Sequence, residues 1–151
     1  MSKPSIDIDL EQLSALLNHI VTQSEDPNTR SQLLVDLKAR ADMYWGKDPR
    51  VSFIIAQLVI AIANLFLDDY NIALGTMSKG DSLRFINRIP EAHKTLHEAG
   101  QIFKSIGDEI GWARTRIGYL LTSHEMGHEI VQKALEDVDY ARKIFLRHNE
   151  I

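Results

Sequence analysis

The chain has 151 residues, of which 44% are hydrophobic and 25% charged, and it has no cysteine. This composition is typical of one soluble globular domain, and it excludes a disordered tail, a fibrous repeat and a disulfide scaffold. The net charge of -4 argues against nucleic-acid binding, which usually needs a basic surface. The N-terminal segment lacks the apolar core of a signal peptide, so we expect a cytoplasmic protein.

The segment 51–67, VSFIIAQLVIAIANLFL, is strongly apolar, with 14 apolar residues in 17. A membrane-spanning helix needs about 20 apolar residues, and Ser52, Gln57 and Asn64 interrupt this run. A helix that is apolar on all sides is either buried or in a membrane. We therefore expect a central buried helix here, in preference to a membrane span or a buried strand.

Capping signals divide the N-terminal third into two helices. Asp9 with Gln12, and Thr29 with Gln32, fit the pattern in which a capping residue is followed three residues later by Glu or Gln. Apolar residues then recur at helical spacing in both segments. We expect the second helix to end at 45–49, where glycine and proline stop the pattern.

Turn residues separate the remaining helices. The stretch Asp69–Leu74 is typical of a turn that enters a fourth helical segment, which Ser78–Asp81 is expected to interrupt. Pro90 suits the first turn of the next helix, and Gly107 and Gly127 mark two further breaks. No run shows the alternation of a strand. The chain is therefore predicted to be all-α, with about six to seven helices and short loops.

Two internal offsets indicate a repeat. A shift of 42 residues superposes residues 92–103 on 134–145, with two alanines and the final phenylalanine matching. A shift of 57 residues superposes 56–61 on 113–118. The difference between the shifts predicts two helix pairs with an insertion near 78–90.

These units resemble tetratricopeptide repeats. The pair Ile117–Gly118 matches the large-then-small step of the first helix, and Asp69–Leu74 matches the turn. Ala99 and Phe103 match the alanine and phenylalanine of the second helix. The stretch 99–108 also looks much like the repeats of large bacterial signalling proteins.

The resemblance covers residues 50–148 and implies a right-handed array of stacked antiparallel helix-turn-helix pairs. Residues 1–48 then form an N-terminal capping helix pair, and the whole chain, 1–151, is one helical domain. An unrelated helical bundle with similar periodicity is the alternative.

The resemblance also implies that the first helix of each pair lines a concave, partner-binding face. In the later unit, five residues are expected on this face: Trp112, Thr115, Arg116, Tyr119 and Ser123. Arg, Trp and Tyr are enriched in interface hot spots. Their counterparts in the earlier unit are apolar and either lie under the N-terminal helices or form a hydrophobic groove: Ile55, Leu58, Ile62 and Phe66. Packing between adjacent pairs is the alternative for the later set.

The functional hypothesis is a protein-interaction scaffold or sensor module, acting within or beside a larger signalling assembly. It implies a protein or peptide partner, with a homo-oligomer as a further option, and neither a nucleic acid nor a membrane. No cofactor is indicated, since the chain has no glycine-rich phosphate loop and no cysteine nucleophile.

The segment 124–128, HEMGH, supports a different hypothesis, a small zinc-dependent metallopeptidase. On one continuous helix His124 and His128 would bind zinc from the same face, and Glu125 would act as general base. A catalytic zinc site needs three protein ligands, and no third ligand is evident at a suitable spacing. We expect the chain to turn near Gly127 and so to separate the two histidines.

His93 and His97 form a second pair of histidines, four residues apart on the flank of their helix. If the helices that meet at Gly107 are antiparallel, this pair lies near His124, and a four-histidine cluster is sterically allowed. The simpler expectation is that both are solvated surface residues. The acidic pair Glu136–Asp137 is also expected to be solvated.

Overall fold

The computed structural model of the chain describes residues 26–149, together with Ala15 and Asn18. Six helices occupy the range 26–149, and none of that range is strand. They are α1 (Pro27–Tyr44), α2 (Pro49–Leu65), α3 (Asp69–Phe85), α4 (Ile89–Ser105), α5 (Glu109–Ser123) and α6 (His128–Arg147). Each helix packs against the next, so the predicted all-α array is confirmed. The helix predicted from Asp9 lies outside the described residues, except that Ala15 and Asn18 are helical.

Three successive turns share one backbone geometry. Leu67, Asn87 and Gly107, each 20 residues after the last, have φ angles of 53°, 67° and 75°. In each turn the following residue donates a backbone hydrogen bond of 2.9 Å to the carbonyl five residues before it. Aspartate side chains then cap the helices that follow the first and third of these turns. The turn therefore repeats even though its left-handed residue is glycine only once.

The interruption predicted at Ser78–Asp81 is wrong, because α3 is one unbroken helix of 17 residues. The small residues in this segment serve close packing instead of a break. Gly80 is buried against Leu96 of α4, where an added side chain would have no room. The insertion predicted near 78–90 is thus the second half of a regular helix and the turn that follows it.

The helices repeat in pairs at steps of about 40 residues. The first helices begin at Pro27, Asp69 and Glu109, and α2, α4 and α6 follow them in turn. A shift of 40 residues relates α3 to α5 and places the buried Ala73 on the buried Ala113. The 57-residue shift relates α2 to α5, which are three helices apart, so that alignment is wrong. The pairs are α1/α2, α3/α4 and α5/α6.

The first helices of the pairs converge, whereas the second helices are spread apart. In addition to contacts between neighbours in sequence, α1 contacts α3, and α3 contacts α5. Among the six described helices, α2, α4 and α6 make no such contacts with one another. The array therefore has a crowded side formed by α1, α3 and α5. On the opposite side a cleft lies between α4 and α6, and α5 forms its floor.

The apolar helix α2 is covered by α1. Leu34 of α1 packs with Val59 and Ile62 of α2, so the first of the two alternatives for this apolar face is the one observed. Ser52 of α2 donates a 2.7 Å hydrogen bond to a carbonyl of α1, and its oxygen lies 2.7 Å from that of Ser82 in α3. Within the described residues, no helix is both long and apolar enough to cross a bilayer.

Candidate functional site

The five residues predicted to form an exposed strip lie on α5, but four of them are buried. Trp112 is 5% exposed and Arg116 3%, while Thr115 and Ser123 are fully covered. Tyr119 is half-buried. The prediction of an exposed strip is therefore wrong, because these residues form the floor of the cleft and pack against the helices on either side of it.

Arg116 bridges the two walls of the cleft. Its guanidinium lies over Gly100 of α4, and its Nη1 lies 3.3 Å from Oδ2 of Asp137 on α6. Its Nε and Nη2 also donate to Oγ1 of Thr115, at 3.0 and 2.9 Å. Burial lowers the pKa of Arg116, and Asp137 opposes that shift. Asp137 was expected to be solvated, but it is the internal counter-ion of Arg116.

Cations and rings alternate along the floor of the cleft. Lys104 Nζ lies 5.0 Å from the centre of the Trp112 ring, and Arg116 lies 5.2 Å from Trp112 and 4.5 Å from Tyr119. The ring of His93 stacks on Tyr119 at 4.2 Å. We call these five residues the cation–aromatic stack. Each such cation contact contributes about 0.5–1 kcal/mol when exposed and more when water is excluded.

His93 closes one end of this stack. Its Nδ1 lies 3.0 Å from Oγ1 of Thr122, and its ring is partly buried between α4 and α5. Burial lowers the pKa of His93, and the charges of His97 and Arg116 act in the same direction. His97 is exposed, with its ring 5.8 Å from Tyr119. The expectation of two solvated histidines is therefore right for His97 only.

A small cavity opens at the other end of the stack. Its volume is about 180 Å³, and its lining comes from α4, α5, α6 and the turn between the first two: Lys104, Gly107, Asp108, Glu109, Trp112, Tyr140 and Ile144. Tyr140 is half-exposed and meets Trp112 edge-on at 5.7 Å. Small-molecule sites usually enclose about 300–1,000 Å³, so this cavity has the size of one side chain. The sequence analysis missed Tyr140, which lies far from Trp112 along the chain.

The segment 124–128 does not form the continuous helix that a metallopeptidase needs. Gly127 has a φ of 111°, α5 ends before His124, and α6 begins at His128. The predicted turn near Gly127 is therefore confirmed. His124 Nε2 lies 3.6 Å from Glu125 in the turn. Within the described part of the chain, no three His, Cys, Asp or Glu side chains are close enough to share a metal, so the four-histidine cluster is not formed.

A second polar group is buried on the crowded side of the array. Asp81 of α3 lies against Gly118 of α5, and its Oδ1 is 3.7 Å from Nη2 of Arg84. Burial raises the pKa of Asp81 to about 6, although Arg84 and Lys38 both act to lower it. Because helix α5 covers it, this carboxyl group is an internal part of the packing between α3 and α5.

No protein-family model matches the sequence, and neither the curated proteins nor the solved structures gave a match. A helical array by itself supports many functions, so its architecture does not determine one. The function has to be argued from the cleft between α4 and α6, where a row of cations and rings meets a cavity of side-chain size.

Proposed function

We propose that the chain is a protein-interaction module of the tetratricopeptide-like class, a cytoplasmic scaffold or sensor acting beside a larger signalling assembly. The observation that carries the proposal is the cleft between α4 and α6, in which the cation–aromatic stack adjoins a cavity of side-chain size. The pairwise step of about 40 residues and the contacts among first helices support the repeat class.

The proposed partner is a peptide segment with one apolar or aromatic anchor. The anchor enters the cavity and packs against Trp112 and Tyr140, residue types that often carry most of the energy of an interface. Lys104, which is exposed at the cavity rim, pairs with an acidic residue beside the anchor. Arg116 does not contact the partner, since Asp137 already compensates its charge. Its role is to hold the rings of Trp112 and Tyr119 in place.

A peptide-display library selected on the purified chain tests this proposal. Peptides that bind are then measured by calorimetry against the parent chain and against Tyr140→Ser. Removing the half-exposed ring from the cavity wall is expected to weaken binding by about tenfold or more, which is 1.4 kcal/mol. Lys104→Ala is expected to reduce the salt dependence of binding, because exposed charges are screened by salt.

Tyr70→Ser is the matched control. Tyr70 is also half-exposed and makes one edge-on ring contact, with Phe103, but it lies on α3, outside the cleft. The proposal expects peptide affinity to survive this substitution. Selected peptides that bind equally well to Tyr140→Ser and to the parent chain would show that the cleft is not the binding site.

A further inference from the structure

The last helix pair exposes a face that is buried in the pair before it. A shift of 42 residues relates α4 to α6 and places Leu96 on Val138 and Phe103 on Phe145. Leu96 and Phe103 are completely buried, whereas Val138 and Phe145 are only half-buried. Leu135, on the same side of α6, is 49% exposed. The two equivalent helices therefore differ in what covers them.

Helix α5 accounts for the difference. Leu96 lies against Gly118 of α5, and Phe103 lies against Gly111, so α5 covers this face of the α3/α4 pair. No described helix takes the same place on the α5/α6 pair. The residues left uncovered form what we call the terminal face: Ile117, Leu121, Val131, Leu135, Val138 and Leu146. A contiguous apolar face of this kind usually marks an interaction site.

The charges of α6 indicate what fits against this face. Residues 128–139 carry four acidic side chains and one lysine, whereas residues 140–149 carry three basic side chains and no acidic one. An antiparallel copy of α6 places the acidic half of each helix beside the basic half of the other, and the two helix dipoles then also oppose each other. A parallel copy would bring like charges together.

We propose that the terminal face binds the terminal face of a second copy of this chain, with the two α6 helices antiparallel. The interface is isologous: the apolar residues meet at its centre and the charges pair at its rim. This surface is separate from the peptide cleft, because Tyr140 lies roughly 140° around α6 from Leu135. The proposal thus goes beyond the peptide-binding function and does not depend on it.

The first test is the mass of the 151-residue chain in solution, measured by sedimentation equilibrium over a range of concentrations. The parent chain is expected to dimerise. Leu135→Glu is expected to raise the dissociation constant by about tenfold or more, because it places a charge at the centre of the interface. Leu65→Glu is the control, since Leu65 is equally exposed but lies on α2. Circular dichroism verifies that both variants remain helical.

The second test is a charge swap that distinguishes antiparallel from parallel packing. Both Glu136 and Lys143 are exposed, one in each half of α6. Glu136→Lys and Lys143→Glu are each expected to weaken the dimer, and the double variant is expected to restore it, because the opposing halves are again complementary.

Three results would overturn the proposal. A parent chain that stays monomeric at the highest concentration would exclude the dimer. A dimer that tolerates Leu135→Glu would place its interface elsewhere. A monomer whose terminal face is protected from hydrogen exchange would show that this face is covered by other residues of the same chain.

Discussion

The guanidinium of Arg116 occupies the space that a side chain at Gly100 would need, so these two residues together set how closely α4 approaches α5. The same guanidinium pairs with Asp137, whose other oxygen accepts a 2.8 Å hydrogen bond from Lys133. That bond raises the pKa of Lys133. Arg116 therefore joins three helices, and its contribution is to the stability of the cleft.

Arg116→Ala is expected to lower the free energy of unfolding by about 2–4 kcal/mol, because it removes one partner of a largely buried charge pair and opens the α4–α5 contact. Urea denaturation measures the change. Arg40→Ala, at an exposed position of α1, is the control and should stay within about 0.5 kcal/mol of the parent chain. Equal stability of the two variants would contradict the burial of Arg116.

Leu67→Gly is expected to stabilise the chain. Leu67 has a φ of 53° and is 85% exposed, so its side chain is strained without being packed. A left-handed conformation costs a residue other than glycine about 1–2 kcal/mol, of which the greater freedom of glycine in the unfolded chain offsets part. The expected net gain is about 0.5–1 kcal/mol in thermal or urea denaturation.

Gly107→Ala provides the opposite test at the equivalent turn. Gly107 has a φ of 75° and no neighbouring atom within 4 Å of an added Cβ. The substitution is therefore expected to destabilise the chain through backbone strain alone, by about 1 kcal/mol. If both substitutions changed stability in the same direction, the shared turn geometry would be refuted.

The helix boundaries could be predicted from the sequence because their signals are local. Pro90, Gly107 and Gly127 stand where the structure places a helix start or a turn. The continuity of α3 could not be predicted in this way. Gly80 in a helix resembles a breaker unless the approach of Leu96, on the next helix, is known. Missing one whole helix then shifted the repeat alignment.

The burial of the α5 residues could not be predicted for a related reason. Charged residues such as Arg116 are usually exposed, and their burial requires a partner. Here the partner, Asp137, lies 21 residues further along the chain, and no pattern in the sequence connects the two. The predicted set does lie in one place, on the floor of the cleft, but its exposed rim depends on Lys104 and Tyr140.

The lowered pKa of His93 predicts that the folded state becomes less stable in mild acid. An imidazole whose pKa in the folded state lies below 6.5 binds its proton more readily when the chain is unfolded. Its contribution to stability is therefore complete above about pH 6.5 and is lost as the pH falls below that value. His93→Phe keeps a ring on Tyr119 and is expected to remove this loss.

The measurement is urea denaturation of both proteins between about pH 7.5 and pH 5. His128→Phe, which replaces an exposed imidazole at the start of α6, controls for the loss of a histidine elsewhere. If the parent chain and His93→Phe lost stability equally over this range, the burial of His93 against Tyr119 would not affect its titration.

Asp81 is expected to act in the opposite direction. Its folded-state pKa of about 6 lies above the ordinary value of 3.8, so between these two values the folded chain binds the proton more tightly than the unfolded chain does. Its contribution is therefore greatest below about pH 4 and declines as the pH rises through 6. Asp81→Asn resembles the protonated carboxyl in shape and cannot titrate, so it lacks this decline.

The stability of Asp81→Asn relative to the parent chain should consequently be higher at pH 7 than at pH 4. The expected difference is about 1 kcal/mol, because the carboxyl keeps some contact with water and with Arg84. Asp36→Asn, at an exposed position of α1, is the matched control and should show a smaller change. A difference that is the same at both pH values would mean that Asp81 ionises as freely in the folded chain as in the unfolded one. The packing of α5 over α3 at Gly118 would then be looser than the structure has it.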